Sequence, residues 1–337
     1  MSETFAAPFE RLLADACPPA EVRRIEADGL PAQPWSRIQA SGFLDALVPE
    51  AAGGAGLPLA EAFALFVAEG RYALPLPVAH TMLVRAALAQ QGLAPPDGMI
   101  AIAPRTLRSA DGTLSCPGTP CGMIADWVLA STADGAWLLP AAAADRAGTG
   151  VHGSLRADLR WAETPADAPR LPAAAWHEAG AALAAAQIAG ALQRVLEMTL
   201  QFANDREQFG RSIGKFQAIQ HQLAVMAEHV AAARMAAEIG CTGRGPLPGG
   251  LRTAMAKARA SEAAALIAPL AHGVHGAIGV TAEFDLQLYT RRLHEWRADF
   301  GSEQHWNREV GRALLAAGPA LDFMRAALIP SNEEIRR

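Results

Sequence analysis

The sequence predicts a mainly α protein in α–β–α order: an N-terminal helical lobe over residues 1–97, a small β domain over 98–165 and a C-terminal four-helix-type bundle over 166–337. Three observations carry that expectation. Hydrophobic residues make up 51% of the chain with alanine foremost and aromatics at only 6%, and alanine is the best intrinsic helix former. Apolar residues recur three and four apart in both end segments. Between them stand short apolar runs separated by Asp-Gly pairs, the pattern of strands and hairpins. At 337 residues the chain also exceeds what one small core organises, so several lobes are expected.

In the first lobe Phe9, Leu12 and Leu13, then Ile38, Phe43, Leu44 and Leu47, fall at helical spacing. The break is the Gly-rich run Val48 to Pro58, with Pro58 near the start of the next helix. It has no strand before it and lacks the third glycine of GxGxxG, so it reads as a sharp interhelical turn rather than a phosphate cradle. In the middle, runs beginning at Met99, Trp127 and Ala136, with Asp-Gly at 111–112 and 134–135, predict about five or six strands. Further on, an Ala-rich helix is expected over 175–205, and a second over 216–240 with Phe216, Ile219, Leu223, Met226 and Val230 along one face. A loop over 241–250, a third helix over 251–272, a turn at His275–Gly279 and further helices complete the bundle. Small side chains let such helices approach closely. No internal repeat is visible.

Charge and composition narrow the function. A formal net charge of −5 and a pI near 6 give no footprint for nucleic acid. The N-terminal Met-Ser-Glu-Thr-Phe lacks a signal-peptide pattern. The longest apolar run, Ala181 to Leu200, is mostly alanine and is interrupted by Gln187, Gln193, Arg194 and Glu197, which argues against a membrane span. The expectation is a soluble cytoplasmic protein. Cys17, Cys116, Cys121 and Cys241 show no CxxC spacing and read as ordinary reduced thiols.

The densest cluster of Arg, Gln, Gly and aromatic residues is Arg206 to Gln217, between two long helical segments. That layout suits a short loop presenting a cation and amides to a ligand. Its pattern Arg206-x-x-Phe209-Gly210-x-x-Ile213-x-x-Phe216-Gln217 resembles the flavin-binding signature of the acyl-CoA dehydrogenases. Other pieces are similar to that family in order and spacing: Gly42-Phe43 through Val48-Pro49-Glu50 to Gly53-Gly54-x-Gly56, then Ala125-Asp126-Trp127, then His275-Gly276-Ala277-Ile278-Gly279-Val280-Thr281 in place of its HGGxGYT turn. The resemblance covers nearly the whole chain and implies the same α–β–α order.

It also implies FAD as cofactor, an acyl-CoA as substrate and an electron-transfer flavoprotein as acceptor. The family desaturates acyl-CoA thioesters: a carboxylate takes the α-proton while the β-hydrogen leaves as hydride to the flavin. By resemblance Arg206 pairs with the FAD pyrophosphate of a neighbouring subunit, for which a guanidinium's two-point grip is suited. Gln217 would reach the adenine side. Phe209 and Phe216 would pack the loop, though Phe216 reads equally well as core. Gly210 and Gly276 would give backbone freedom or close approach, beside His275.

The departures from the family bear on catalysis. Counted without gaps from Gly276, the family's glutamate base falls on Phe300. The alternative base position on the first bundle helix falls on Gly180, with Glu178 roughly 200° round the helix. The Thr-Glu-Pro-x-x-Gly-Ser-Asp run is absent, the Trp-Ile-Thr segment falls on Gly118-Thr119-Pro120, and the glutamine before the glycine turn is Gly273. Two readings stay open. One is a self-sufficient homo-oligomeric dehydrogenase with its base displaced to Asp299, Glu303 or Glu178. The other, favoured, is the base-free small subunit of a heteromeric α2β2 enzyme whose homologous larger subunit carries the base, acting on bulky acyl groups such as steroid-derived or dicarboxylic ones. A related flavin oxidase is a third. No metal is expected: His272 and His275 lack a third ligand at suitable spacing. Ser302, Glu303 and His305 lack the nucleophile elbow of a hydrolase. Trp296 and Trp306, among Arg291, Arg292, Arg297 and Arg308, read as a packed helix face.

Overall fold

The computed structural model describes residues 2–163, 165, 168–242, 247–317, 319 and 323. It divides into two compact units, residues 1–180 and 181–337.

The first unit opens with helices α1 (Ser2–Ala16), α2 (Pro19–Asp28), α3 (Ala32–Ala40), α4 (Leu59–Arg71) and α5 (Val78–Gln90). Phe9, Leu13 and Ile38 are fully buried, as their spacing predicts, while Phe43 and Leu44 lie in a single 3-10 turn. The Gly-rich run folds back on the chain before it: Ala55 N–H donates to Asp45 O at 3.1 Å, Gly56 N–H to Val48 O at 2.8 Å and Leu57 N–H to Ala46 O at 2.9 Å. Those amides are consumed internally, so the run is a turn with no free N–H row for a phosphate. Pro58 caps α4. Asp45, at the turn's start, takes two hydrogen bonds from Arg85 of α5, at 2.8 and 3.0 Å.

Eight strands follow among the described residues: β1 (Ile100–Ile102), β2 (Leu107–Arg108), β3 (Leu114–Thr119), β4 (Trp127–Thr132), β5 (Gly135–Pro140), β6 (Asp145–Gly148), β7 (Ala157–Trp161) and β8 (Arg170–Leu171). They form two four-stranded sheets, β1-β4-β5-β8 and β2-β3-β7-β6. Alternate residues of each sheet share one core: Val128, Ala130, Trp137 and Leu139 from the first, Leu114, Cys116, Leu159 and Trp161 from the second. Both Asp-Gly signals mark hairpins. The β2–β3 turn holds Gly112 at φ 88°, with Asp111 accepting from Thr113 N–H at 3.0 Å. The β4–β5 turn sits one residue earlier than expected: Thr132 pairs with Gly135, so Ala133 and Asp134 span it. The strand number exceeds the expected five or six because two-residue strands such as β2 and β8 are too short to show a period. β1 packs against α5, where Thr81 Oγ1 accepts from Ile100 N–H at 3.0 Å and His80 Nδ1 from Ile102 N–H at 3.3 Å. Burial pushes His80 down to about 4, so its imidazole is neutral and able to accept.

Helix α6 (Trp176–Asp205) leads into the second unit, which holds α7 (Gln217–Gly240), α8 (Gly250–His275), α9 (Leu286–Ala298) and α10 (Glu303–Ala317). The loop expected over 241–250 lies partly outside the described residues, as does the chain beyond 323. α8 packs against α7, α9 and α10. Its buried face is nearly all small, and an added Cβ at Gly240 would lie 2.5 Å from Ala256 Cβ, so α7 and α8 approach as closely as their side chains allow. Two helical segments, Trp176–Asp205 and Gly250–Val280, are long and apolar enough to cross a membrane by length and composition, a test that a buried core helix also passes. The apolar window of the first is 83% buried within the protein and that of the second 44%. All four cysteines are free thiols, and burial pushes Cys116 up to about 11 and Cys241 to about 12, which leaves these two unreactive.

Candidate functional site

The stretch Arg206 to Gln217 is a miniature hairpin rather than a plain loop. β9 (Glu207–Gln208) pairs antiparallel with β10 (Arg211–Ser212), leaving Phe209 and Gly210 as a two-residue turn. Both turn residues have positive φ, 53° and 76°, as primed hairpin turns require. Glycine meets that requirement without cost; a phenylalanine does not. The Phe209 ring is nonetheless 92% exposed, held only edge-on against Phe216 at 6.1 Å. Phe216 carries the Arg211 guanidinium over its ring at 4.2 Å and packs on the cluster of Ala203, Ile213 and Val274. The two readings of Phe216 therefore coincide: it is core, and it supports the hairpin tip. Arg206 is exposed, and its guanidinium has no hydrogen-bond or ion-pair partner among the described residues. Gln217, also exposed, starts α7, which has no side-chain cap at Phe216.

The turn at His275–Gly276 stands beside the base of this hairpin. The His275 ring stacks on Phe202 at 4.4 Å and lies 5.1 Å from Phe284, with its Nδ1 2.8 Å from Ala271 O. It is buried, and burial holds its pKa below the ordinary value, so it is a neutral packing group under the turn. Gly276, in contrast, is exposed at φ 64° with nothing within 4 Å of an added Cβ. His272 binds Thr290 Oγ1 through Nε2 at 2.9 Å, and among the described residues no group of three or more His, Cys, Asp and Glu suits a metal.

The segment from Asp299 to Glu303, where the sequence count puts the family's base, is closed. Phe300 is 2% exposed and Asp299 3%. Glu303 is bound to the Arg297 guanidinium, with Nε to Oε2 at 2.9 Å, and this hydrogen bond keeps its carboxyl below the usual range. Both candidate carboxylates thus face protein cations: Asp299 and Glu303 bear on the ammonium of Lys257. Lys257 was not foreseen as a functional residue. Its one signal is position, since Thr253, Lys257, Ser261, Ala264 and Ala268 run down one buried face of α8, where a lysine is out of place. Trp306 donates from Nε1 to Phe300 O at 2.9 Å, and His305 lies against its ring, so no hydrolytic set forms there. Trp296 and Trp306 are both buried. Arg292 pairs with Glu295 at 2.8 Å.

In the first unit Glu178 is half-buried on α6, one residue before Ala179 and two before the buried Gly180. Thr119 is fully buried, its hydroxyl spent on Cys116 O at 3.0 Å, at an irregularity in the β3–β7 register. Gly118 and Pro120 beside it carry no polar side chain.

A helical lobe, a two-sheet β region and an α-helical bundle bearing an Arg-x-x-Phe-Gly hairpin define the acyl-CoA dehydrogenase fold. The acyl-CoA dehydrogenase C-terminal domain model matches residues 178–318. The acyl-CoA dehydrogenase IpdE2 of Mycobacterium tuberculosis is 34% identical over 288 residues, 84% of this chain and 87% of that protein. Two solved structures share the fold. The ChsE4-ChsE5 complex from Mycobacterium tuberculosis has a TM-score of 0.83 at 22% identity, over 95% of this chain and 98% of that one. A variant of the Tcur3481-Tcur3483 steroid ACAD has a TM-score of 0.81 at 23% identity, over 94% and 98%. The chain belongs to the acyl-CoA dehydrogenase family, a family of FAD-dependent oxidoreductases. Its hairpin fits that cofactor: an unpaired guanidinium, an uncapped helix start and two glycines open to solvent are what a pyrophosphate dianion needs.

Proposed function

We propose that this chain is the base-lacking small subunit of a heteromeric, FAD-dependent acyl-CoA dehydrogenase, completing a cofactor site shared with a homologous larger subunit. One contrast supports the reading. The groups suited to FAD lie free at the surface, whereas the carboxylates nearest the base position face internal cations. The flavin, when bound, supplies the hydride acceptor for α,β-desaturation. In this proposal Arg206 neutralises the pyrophosphate, the amide at Gln217 lies against it, Gly276, whose N–H is bound to His272 O, leaves room for its approach, Phe209 and Phe216 shape the hairpin and Gly210 allows its turn. His275 acts from beneath, holding the Gly276 turn through its stack on Phe202. The proton-abstracting carboxylate comes from the partner, because Phe300 cannot accept a proton.

The resemblance in fold to a ChsE4-ChsE5 complex and a steroid ACAD supports a bulky, steroid-derived acyl-CoA as substrate class. An electron-transfer flavoprotein is the proposed acceptor, and a soluble cytoplasmic location goes with the reading. So does the division at residues 97 and 165. The displaced-base alternative now rests on Glu178, the one candidate not engaged beside Lys257 and Arg297. The test is purification of the chain alone and together with a homologous larger subunit, followed by flavin absorbance against protein. The expected result is little flavin alone and about one FAD per heterodimer. A yellow, active homo-oligomer of this chain alone would overturn the proposal.

A further inference from the structure

The turn from Arg297 to Glu303 is held by more than its own backbone. Lys257, fully buried on α8, directs Nζ to Ser261 Oγ at 3.0 Å, Arg297 O at 2.9 Å and Gly301 O at 2.8 Å. Three acceptors match the three N–H bonds of an ammonium. From α10, Trp306 Nε1 holds Phe300 O, and across the turn's mouth Glu303 binds Arg297. Phe300 and Gly301 are consecutive residues at positive φ, 53° and 92°, and an added Cβ at 301 would stand 2.7 Å from the His305 ring. The carbonyl of Arg297 in the last turn of α9, and those of Phe300 and Gly301 beyond it, are each met by a side chain from another helix.

We infer that Lys257 is the positioning residue that locks this turn shut, making the place of the family's base a structural corner that a carboxylate at position 300 cannot reopen. The inference rests on placing the family base at Phe300. A glutamate there would be buried beside Asp299, and Lys257, which braces this turn, already has its three donors engaged. The lock also survives loss of the lysine's proton. An amine keeps two donors for the carbonyls of Arg297 and Gly301 and accepts from the Ser261 hydroxyl, which reverses its role.

The charged groups facing Lys257 are Asp299, Glu303 and Arg297; burial pushes it down to about 7, against the pull of the two carboxylates. In the unfolded chain it keeps its ordinary value, so between about pH 7 and 10.5 the unfolded state binds more protons and folding gains stability as pH rises. Two variants of the full chain test this by thermal melts across pH. Lys257→Met is expected to melt about 5–10 °C lower at neutral pH, with the gap to wild type widening toward pH 10. Ser261→Ala, a milder change that keeps the lysine, is expected to show its largest deficit below pH 7, where an ammonium loses an acceptor, and a smaller one above. Gaps that stay flat with pH would overturn the lock. Phe300→Glu, assayed with FAD by deuterium exchange at the acyl-CoA α-carbon, is expected to show none above wild type. Exchange gained without loss of melting temperature would overturn the inference. An active flavin homomer of the wild-type chain would overturn the subunit reading and leave the pH-linked melts unchanged, so the two failures are distinguishable.

Discussion

Phe209 and Phe300 share a backbone conformation that side chains avoid, φ 53°, and differ in everything else. One ring stands 92% exposed on a hairpin tip; the other is 2% exposed under a network of hydrogen bonds. A left-handed residue other than glycine costs about 1–2 kcal/mol. At Phe300 the surrounding contacts offset that cost, while at Phe209 the described residues offer the ring one edge contact, with Phe216. Strain without internal compensation points outward, to a partner surface. Phe209→Asn, which tolerates this conformation, should leave the isolated chain as stable or up to about 1 kcal/mol more stable, and should lower flavin retention in the assembled enzyme. Melting curves and flavin absorbance check both halves. Lys257→Met should cost about 2–5 kcal/mol by urea unfolding, because the carbonyls of Arg297 and Gly301 lose their donor inside the fold. The two residues differed in legibility. Phe209 stood inside a motif whose chemistry is readable from residue types. Lys257 was one lysine among alanines, and only the burial of its whole helix face gives it meaning.

Elements were legible where their period was long. The helices over 175–205 and 216–240 appear within a residue of their expected bounds, since a long run of turns with apolar spacing leaves no ambiguity. The β4 and β5 runs were equally plain. Strands of two residues were not, and the shared core of the two sheets could not be read from segments whose partners are distant in sequence. The Val48–Pro58 run is legible as a turn because no strand precedes it. Its tightest point is Gly54, where an added Cβ would lie 2.2 Å from Val48 O. Backbone cannot yield there as a side-chain tip would, so Gly54→Ala should destabilise the first unit by about 1–3 kcal/mol or more, measurable by thermal melting. Acid should act on the α5–β1 contact. His80 is lowered from 6.5 to about 4, so its neutral form contributes stability that is lost as pH falls from about 6.5 toward 4. Unfolding midpoints at pH 7, 5.5 and 4.5 should fall in that order, and a His80→Gln variant should show a shallower fall.

At the scale of the whole molecule, sequence and structure agree on the family and divide the function. The groups proposed to face the cofactor are gathered on one hairpin and turn of the second unit, with Arg206 exposed and unpaired among the described residues. At Phe300, where the sequence count puts the family's carboxylate, a phenyl ring stands inside a braced corner. That division was legible as a set of departures from a motif, but the sequence left Asp299 and Glu303 open as substitutes, because only coordinates reveal that they face Lys257 and Arg297. The account therefore assigns flavin retention to this chain and proton abstraction to its partner. Its most direct test is turnover per bound flavin, together with flavin per heterodimer, in two assembled variants of this chain. Arg206→Ala should lose most of the flavin, and Glu178→Gln should keep both flavin and turnover at wild-type levels. Full flavin occupancy in Arg206→Ala, or turnover abolished by Glu178→Gln with flavin retained, would contradict the account.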